Sequence, residues 1–391
     1  MHSGIFGGLL LFYATAVLCK SNLNIRHVSR ASNKFGDAIY KQLKKNEGNI
    51  IFSPFSVHSV LSMLALGSER ETRHELVSKL FLTNFDNLKK GYSALLNSQN
   101  ETDEILRIAN TIFVDKSLTL RKTYKLSTQA VFNTNPRKVD FNNPVRAANN
   151  INRWVANKTD DGIPSMLRSD QIEGAVLVLI NAIYFKGNWN LRFNKSRTVR
   201  GYLFHIPRQD EHVPCEMMVM KPTKHKFFIS ATFAMLELGF QGTDMKITFI
   251  KPYFNLTNLE GVLDSKTFFK LKKNMRLTLV ELKIPKFNLG SVFSLKNSIQ
   301  SLGLGSIFDS PDLSGMFEAT PSAEVSDIVQ KTVIKVNEDG ATVAASSVLI
   351  VVARSTAIAT PFVLDRPFLF FLYDSKTEII LLRGRIENPV A

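Results

Sequence analysis

The residues best placed to do something unusual lie between 338 and 367. Glu338-Asp339-Gly340 is polar, and Gly340 permits a backbone hinge that a Cβ would resist. Ala341, Thr342, Val343, Ala344, Ala345 and Ser346 follow, all small or β-branched, and Ser347 leads into the apolar run Val348 to Ala353. Alone, a short run of this kind between turn signals reads as a buried strand. Three details redirect that reading. Small residues in the first half suit a segment that must slide between neighbours. Positions alternating from Ala341 (Val343, Ala345, Ser347, Leu349, Val351) make one mostly apolar face of period two. Arg354 then ends the run, followed by Ser355, and its charge is costly inside and well placed outside. The stretch therefore reads as exposed in one state and able to become a strand in another. This is conformational chemistry, and catalytic signatures are missing. The chain has no Gly-x-Ser-x-Gly, His-Glu-x-x-His, Cys-x-x-Cys, Walker or dinucleotide glycine pattern. His205 and His212 bracket acidic residues in what reads as a loop. They are taken as solvated side chains, so no metal, cofactor or catalytic residue is expected.

Such a segment needs a large body to serve. The chain has 391 residues, 45% of them hydrophobic, without repeat, low-complexity tract or linker, and reads as one domain. Two cysteines are too few for a disulfide framework, so packing must supply the stability. Residues 1–19 contain no Asp, Glu, Lys or Arg and fit a secretory signal cleaved after Cys19 or Ala16. The mature domain is then 20–391, with Cys215 as a lone, small core residue. Four sequons, at Asn100, Asn157, Asn194 and Asn255, agree with a secreted, extracellular glycoprotein.

The elements that must position the segment are legible by pattern. Residues 23–45 have helical spacing, through Phe35, Ile39 and Leu43. Ile50-Ile51-Phe52 reads as a short strand, and Ser53-Pro54 starts a helix with proline in its first turn. Leu106 to Val114 and Ala175 to Phe185 read as sheet strands, the second nearly continuous and so buried on both faces.

These residues carry a family resemblance. The segment resembles the reactive-centre loop of a serpin, with Glu338, Gly340, Ala341, Ala344 and Ala345 matching its hinge. The rest of the chain agrees. Asn49, Phe52, Ser53, Pro54 and Ser56 resemble the serpin "shutter" beneath the opening point of the central sheet. Asn181, Tyr184, Phe185, Lys186, Gly187 and Trp189 resemble the top of that sheet, where the loop begins to insert. Ile284 to Phe287, Asp312 to Gly315, Asp365 to Phe370 and Gly384 to Ile386 match further signatures, so the likeness runs from about residue 30 to 389. It implies an α+β serpin fold with three β-sheets, eight or nine helices and an exposed mobile loop over about 338–361. Two departures stand out. Gln330 replaces the usual shutter histidine, and Val343 stands where inhibitors favour alanine. Lys286 and Glu338 occupy positions that pair near the hinge.

By the same resemblance the cleaved bond falls at Arg354-Ser355, fourteen residues past Gly340. A long basic residue there implies trypsin-like serine proteases as partners, trapped covalently as the loop inserts. Burial of Val343, Leu349 and Val351 with about ten new ladder bonds is on the order of 10 kcal/mol. That rivals the net stability of a whole domain, so the intact fold can be metastable. A monomer is expected, with loop–sheet polymers as a liability. The alternative is a non-inhibitory serpin acting as carrier, chaperone or storage protein, which the small hinge residues disfavour. Neither nucleic acid nor membrane is an expected partner. The net charge of +15 raises heparin or another sulfated glycan as a further partner. Lys266, Lys270 and Lys273 fall on one helical face with Lys272 and Arg276 nearby, and Lys221, Lys224 and Lys226 form a second group.

Overall fold

The computed structural model describes residues 3–98, 105–319, 323–338 and 358–391, with side chains described from Leu23 onward except at 97–98. Asn100 and residues 339–357 lie outside the described residues, and with the latter Gly340, Ala341, Thr342, Val343, Ala344, Ala345, Arg354 and Ser355.

Two hydrogen-bonded sheets form the body, with strands numbered here in chain order. The five-stranded sheet runs β10 (Phe287–Ser294), β11 (Asp327–Val336), β4 (Leu177–Lys186), β2 (Leu106–Asp115) and β3 (Arg137–Val139). The nine-stranded sheet begins β1 (Ile50–Phe52), β14 (Ile380–Ile386), β13 (Phe368–Asp374), β8 (Met245–Pro252) and β7 (Phe233–Gly239). It continues β6 (Glu211–Ile229), β9 (Arg276–Pro285) and β12 (Thr360–Val363), with β5 (Val199–Ile206) also on β6. The second and third of the three expected sheets are thus joined through β6. That strand is 19 residues long and both halves pair with β9 across a register shift between Met220 and Thr223, while β5 pairs with its first half and β7 with its last residues.

Nine α-helices occur among the described residues. They are α1 (Ser3–Leu43), α2 (Pro54–Gly67), α3 (Arg70–Lys79), α4 (Phe85–Ser98) and α5 (Lys122–Phe132), then α6 (Pro144–Thr159), α7 (Leu256–Val262), α8 (Ser265–Lys272) and α9 (Lys296–Ser301). Helix α1 extends the helix expected from residue 23 back through the apolar N-terminal stretch. No described helix is long and apolar enough to cross a membrane.

Helix α2 shows how the sequence sets the site. Ser53 caps it by accepting the Ser56 N–H, and Pro54 sits at its start, where no N–H is needed. All fourteen of its residues are buried, and polar ones among them such as Ser56 and His58 are hydrogen-bonded inside. It lies over one face of β2 and β4 while α6 lies on the other. Strand β4 is therefore nearly continuous in apolar residues for two reasons. Leu177, Leu179, Ile183 and Phe185 face the main core under α2, whereas Val178, Ile180 and Ala182 face a second core with Ile151 and Val155 of α6. Asn181 is the polar interruption on the α2 side.

Candidate functional site

The site is the seam between β4 and β11. These strands are parallel neighbours, registered from Asp327 opposite Val178 to Lys335 opposite Lys186. Their partners on either side, β2 and β10, run antiparallel to them. The seam thus pairs parallel strands between two antiparallel neighbours, with no strand between, and the short edge pair of β2 with β3 is also parallel.

A closed ring of hydrogen bonds latches the middle of the seam to α2. Gln330 Nε2 donates to Asn181 Oδ1 at 2.5 Å and to the Ser53 carbonyl at 3.1 Å, while Gln330 Oε1 accepts the Ser53 N–H at 3.0 Å. Asn181 Nδ2 donates to Asn110 Oδ1 at 2.6 Å, and Asn110 Nδ2 to Ser56 Oγ at 3.3 Å. The Ser56 N–H closes the ring on Ser53 Oγ, which itself donates to the Leu381 carbonyl of β14 at 2.6 Å. Asn110, Asn181 and Gln330 are register partners on adjacent strands, so they form one polar row across an apolar face. Ser53, Ser56, Asn181 and Gln330 are fully buried. Each bond is therefore expensive to leave unmade. Gln330, read from the sequence as a departure, uses donor and acceptor together. Asn110 completes the ring and escaped the sequence reading. Asn49 braces the far side, accepting from the Glu387 and Asn388 N–H groups and donating to the Asn388 carbonyl.

The top of the seam is pinned separately. Trp189 Nε1 donates to the Asn337 carbonyl at 2.8 Å while its ring stacks on Phe240 at 4.8 Å. Glu338 accepts from Thr198 Oγ1 at 2.7 Å and pairs with Lys286 at 3.5 Å. Lys286 in turn lies 3.0 Å from Glu216. Burial pushes the Glu338 carboxyl up, but the Thr198 hydroxyl, its own N–H and the Lys286 charge together hold it below the ordinary value. Lys286 is raised, first by its hydrogen bond to Glu216. Both groups are thus held charged at neutral pH, at the last described residue before 339–357.

Beyond that stretch Ile358 is exposed, and the chain rejoins the body through β12, parallel to β9 from Thr360 opposite Val280. The remaining site residues fall elsewhere. Asn157, Asn194 and Asn255 are exposed. Lys266, Lys270, Lys273 and Arg276 face solvent on and beside α8. Lys272, grouped with them from the sequence, turns inward. Its ammonium lies 4.5 Å from the Tyr373 ring centre, and burial lowers its pKa. Lys224 and Lys226 of β6 are exposed beside β9, since Lys226 is opposite Leu277 and Phe227 opposite Arg276, so the two basic groups adjoin. Cys215 is buried, and burial pushes its thiol up to about 11, which makes it inert.

A seam without an intervening strand, a buried latch beneath it and a chain leaving from its top define a class of protein, and comparison gives the same class. The family model described as "Serpin (serine protease inhibitor)" matches residues 30–389, and the chain belongs to the serpin family. It is 33% identical to Iripin-1 of Ixodes ricinus over 384 residues, 95% of this chain and 97% of that one. It is 31% identical to Serpin B6 of Macaca fascicularis, over 93% of this chain and 99% of the relative. Among solved structures, native protease nexin-1 crystallised with heparin superposes with a TM-score of 0.83 at 27% identity, covering 94% of this chain and all of that one.

Proposed function

We propose that the chain is a secreted suicide-substrate inhibitor of trypsin-like serine proteases, its leader removed and its bait bond at Arg354-Ser355. One observation carries the reading: β4 and β11 pair directly, and Glu338 sits at the upper end of that pair. A segment turning back from Glu338 runs antiparallel to β11 and hence to β4. Its insertion exchanges one parallel ladder for two antiparallel ones, which are slightly stronger per residue.

The chemistry before insertion belongs to the protease. Its serine Oγ adds to the Arg354 carbonyl carbon, the bond to the Ser355 nitrogen breaks, and that nitrogen leaves as a protonated amine. Arg354 stays as an ester on the protease. The freed segment, no longer tied at both ends, enters the seam and drags the protease with it. Small displacements of a triad cost orders of magnitude in rate, so the ester persists. The enclosing structure is monomeric in this scheme, and the same segment entering another molecule's seam gives loop–sheet polymers.

The test is incubation with trypsin and a denaturing gel. A band at the summed mass, with a released fragment beginning at Ser355, is the expected result. Clean cleavage at Arg354 without that band identifies a substrate and transfers the reading to a non-inhibitory carrier, chaperone or storage role.

The basic edge supports a second partner. Lys266, Lys270, Lys273 and Arg276 face solvent beside Lys224 and Lys226, a surface suited to heparin or another sulfated glycan. Heparin–agarose elution at moderate salt, falling in Lys270→Ala/Lys273→Ala, is expected. Elution at low salt, unchanged in that variant, removes the reading.

A further inference from the structure

We propose that His205 and His212 form a chelating site for a transition-metal dication on the β5–β6 hairpin. The two histidines are directly opposite each other in the antiparallel register. The His205 N–H does not cross to β6; it donates outward to the Asp365 carbonyl at 2.9 Å. The pair is therefore of the non-hydrogen-bonded kind, in which side chains approach most closely. Their rings lie 4.5 Å apart between centres with planes 17° from parallel. Sequence reading took them as separate solvated side chains, and the hairpin has instead brought them face to face.

The surroundings favour a cation that can reach the pair. Phe204, Ile206, Val213 and Cys215 are buried, which leaves the alternating positions, His205 half-buried and His212 exposed, on the outer face. Asp210 in the connecting turn and Glu211 at the start of β6 are exposed and add negative charge. The nearby cation Arg208 is directed to Glu387, 3.4 Å away.

Two metal–nitrogen bonds of about 2.1 Å span at most about 4.2 Å between nitrogens. A modest tilt of the rings about their side-chain bonds opens the stack toward solvent and converges one lone pair from each. Among the described residues no cluster of three or more His, Cys, Asp or Glu could hold a metal. The pair is thus a two-ligand chelate whose other positions belong to water. Imidazole nitrogen with open positions selects Cu2+, Ni2+ or Zn2+, with Cu2+ bound most tightly, and not Ca2+ or Mg2+. Because β5 pairs only with β6, a metal bridging the two would staple an edge strand whose other attachment is the Asp365 carbonyl.

The experiment is calorimetric titration of Cu2+ into the untagged full chain, with electron paramagnetic resonance of the complex. One Cu2+ per chain, with nitrogen hyperfine structure from two imidazoles, is expected. His205→Asn and His212→Asn should each weaken binding at least about tenfold, because one imidazole alone gives no chelate. A control carrying His2→Asn, His27→Asn and His74→Asn should bind as wild type does. Thermal denaturation without metal checks that the variants fold, and added Cu2+ should raise Tm in the wild type but in neither single variant. Binding that survives either substitution, or no binding up to about 1 mM Cu2+, overturns the proposal.

Discussion

Gln330 of β11 and Asn181 of β4 face each other across the seam, joined by a 2.5 Å hydrogen bond under α2. Of all side-chain contacts in the ring, this is the one that must break for the strands to part. Gln330→Ala removes it and strips Ser53 of both its bonds to that side chain. With buried polar groups left unpaired at about 1–3 kcal/mol each, Tm should fall clearly in a thermal melt. Heat-induced polymer, read on a native gel, should form at a lower temperature. An unchanged melting curve would show that the ring is not a latch.

The hinge pair makes a second prediction through charge. Glu338→Lys places an ammonium against Lys286 and forfeits the Thr198 bond. The upper seam should loosen, and polymer on warming should exceed wild type. Lys286→Glu in the same chain should restore only part of the loss, because the new carboxylate then faces Glu216, 3.0 Å from the native ammonium. Wild-type levels of polymer in Glu338→Lys would remove the pair from the account.

Ser53, Ser56, Asn181 and Gln330 were legible because family spacing names them, and Ser53-Pro54 carries its own capping signal. Asn110 was not, although a sign exists. It interrupts LRIANTIFV as Asn181 interrupts LVLINAIYF, and two polar breaks mid-strand can satisfy each other only in register. Register is a tertiary fact, set by partners about 70 residues apart. Lys272 failed for a similar reason. Helical spacing put it near the other lysines, but the Tyr373 ring that captures it arrives from β13, a hundred residues on. The buried pair of Arg385 with Glu260 at 3.2 Å, where Tyr40 also donates to Glu260, joins three distant elements and left no local trace.

That pair gives a stability prediction. Arg385 is almost fully buried and also meets Glu387 at 3.1 Å and the Gly48 carbonyl at 2.9 Å. Glu260→Ala leaves part of a buried guanidinium charge uncompensated. Breaking such a pair costs about 3–5 kcal/mol, softened here by Glu387, so a lower denaturant midpoint is expected. A midpoint within error of wild type would mean that Glu387 alone compensates Arg385.

Acid should weaken the fold through two histidines. Burial lowers His58 and His225 to about 4 each. The His58 Nε2–H donates to the Leu80 carbonyl, which leaves Nδ1 to accept from the Tyr92 hydroxyl at 2.6 Å, so the neutral ring is fully bonded. Between pH 4 and 6.5 the unfolded chain binds protons that the folded one does not. Stability therefore rises with pH across that window and is lost as pH falls through it. Each ring contributes on the order of 3 kcal/mol over the full range. Urea midpoints at pH 7, 6 and 5 should fall in sequence, and His225→Phe should flatten the slope. A slope unchanged in that variant would place the acid sensitivity elsewhere.

Trp189 offers a direct view of the seam. The chain has two tryptophans, and the other, Trp154, lies on α6 away from the hinge. In Trp154→Phe the remaining indole reports on the Asn337 carbonyl to which it donates. An inserting strand must enter beside that contact and change the polarity around the ring. Cleavage by trypsin should therefore shift Trp189 emission with the same time course as formation of the covalent band. Trp189→Phe keeps an aromatic ring against Phe240 but lacks the indole donor, so the hinge loses one anchor and insertion should quicken. Emission that stays constant while the covalent band forms would separate trapping from opening of the seam, and the parallel pairing of β4 with β11 would no longer explain inhibition.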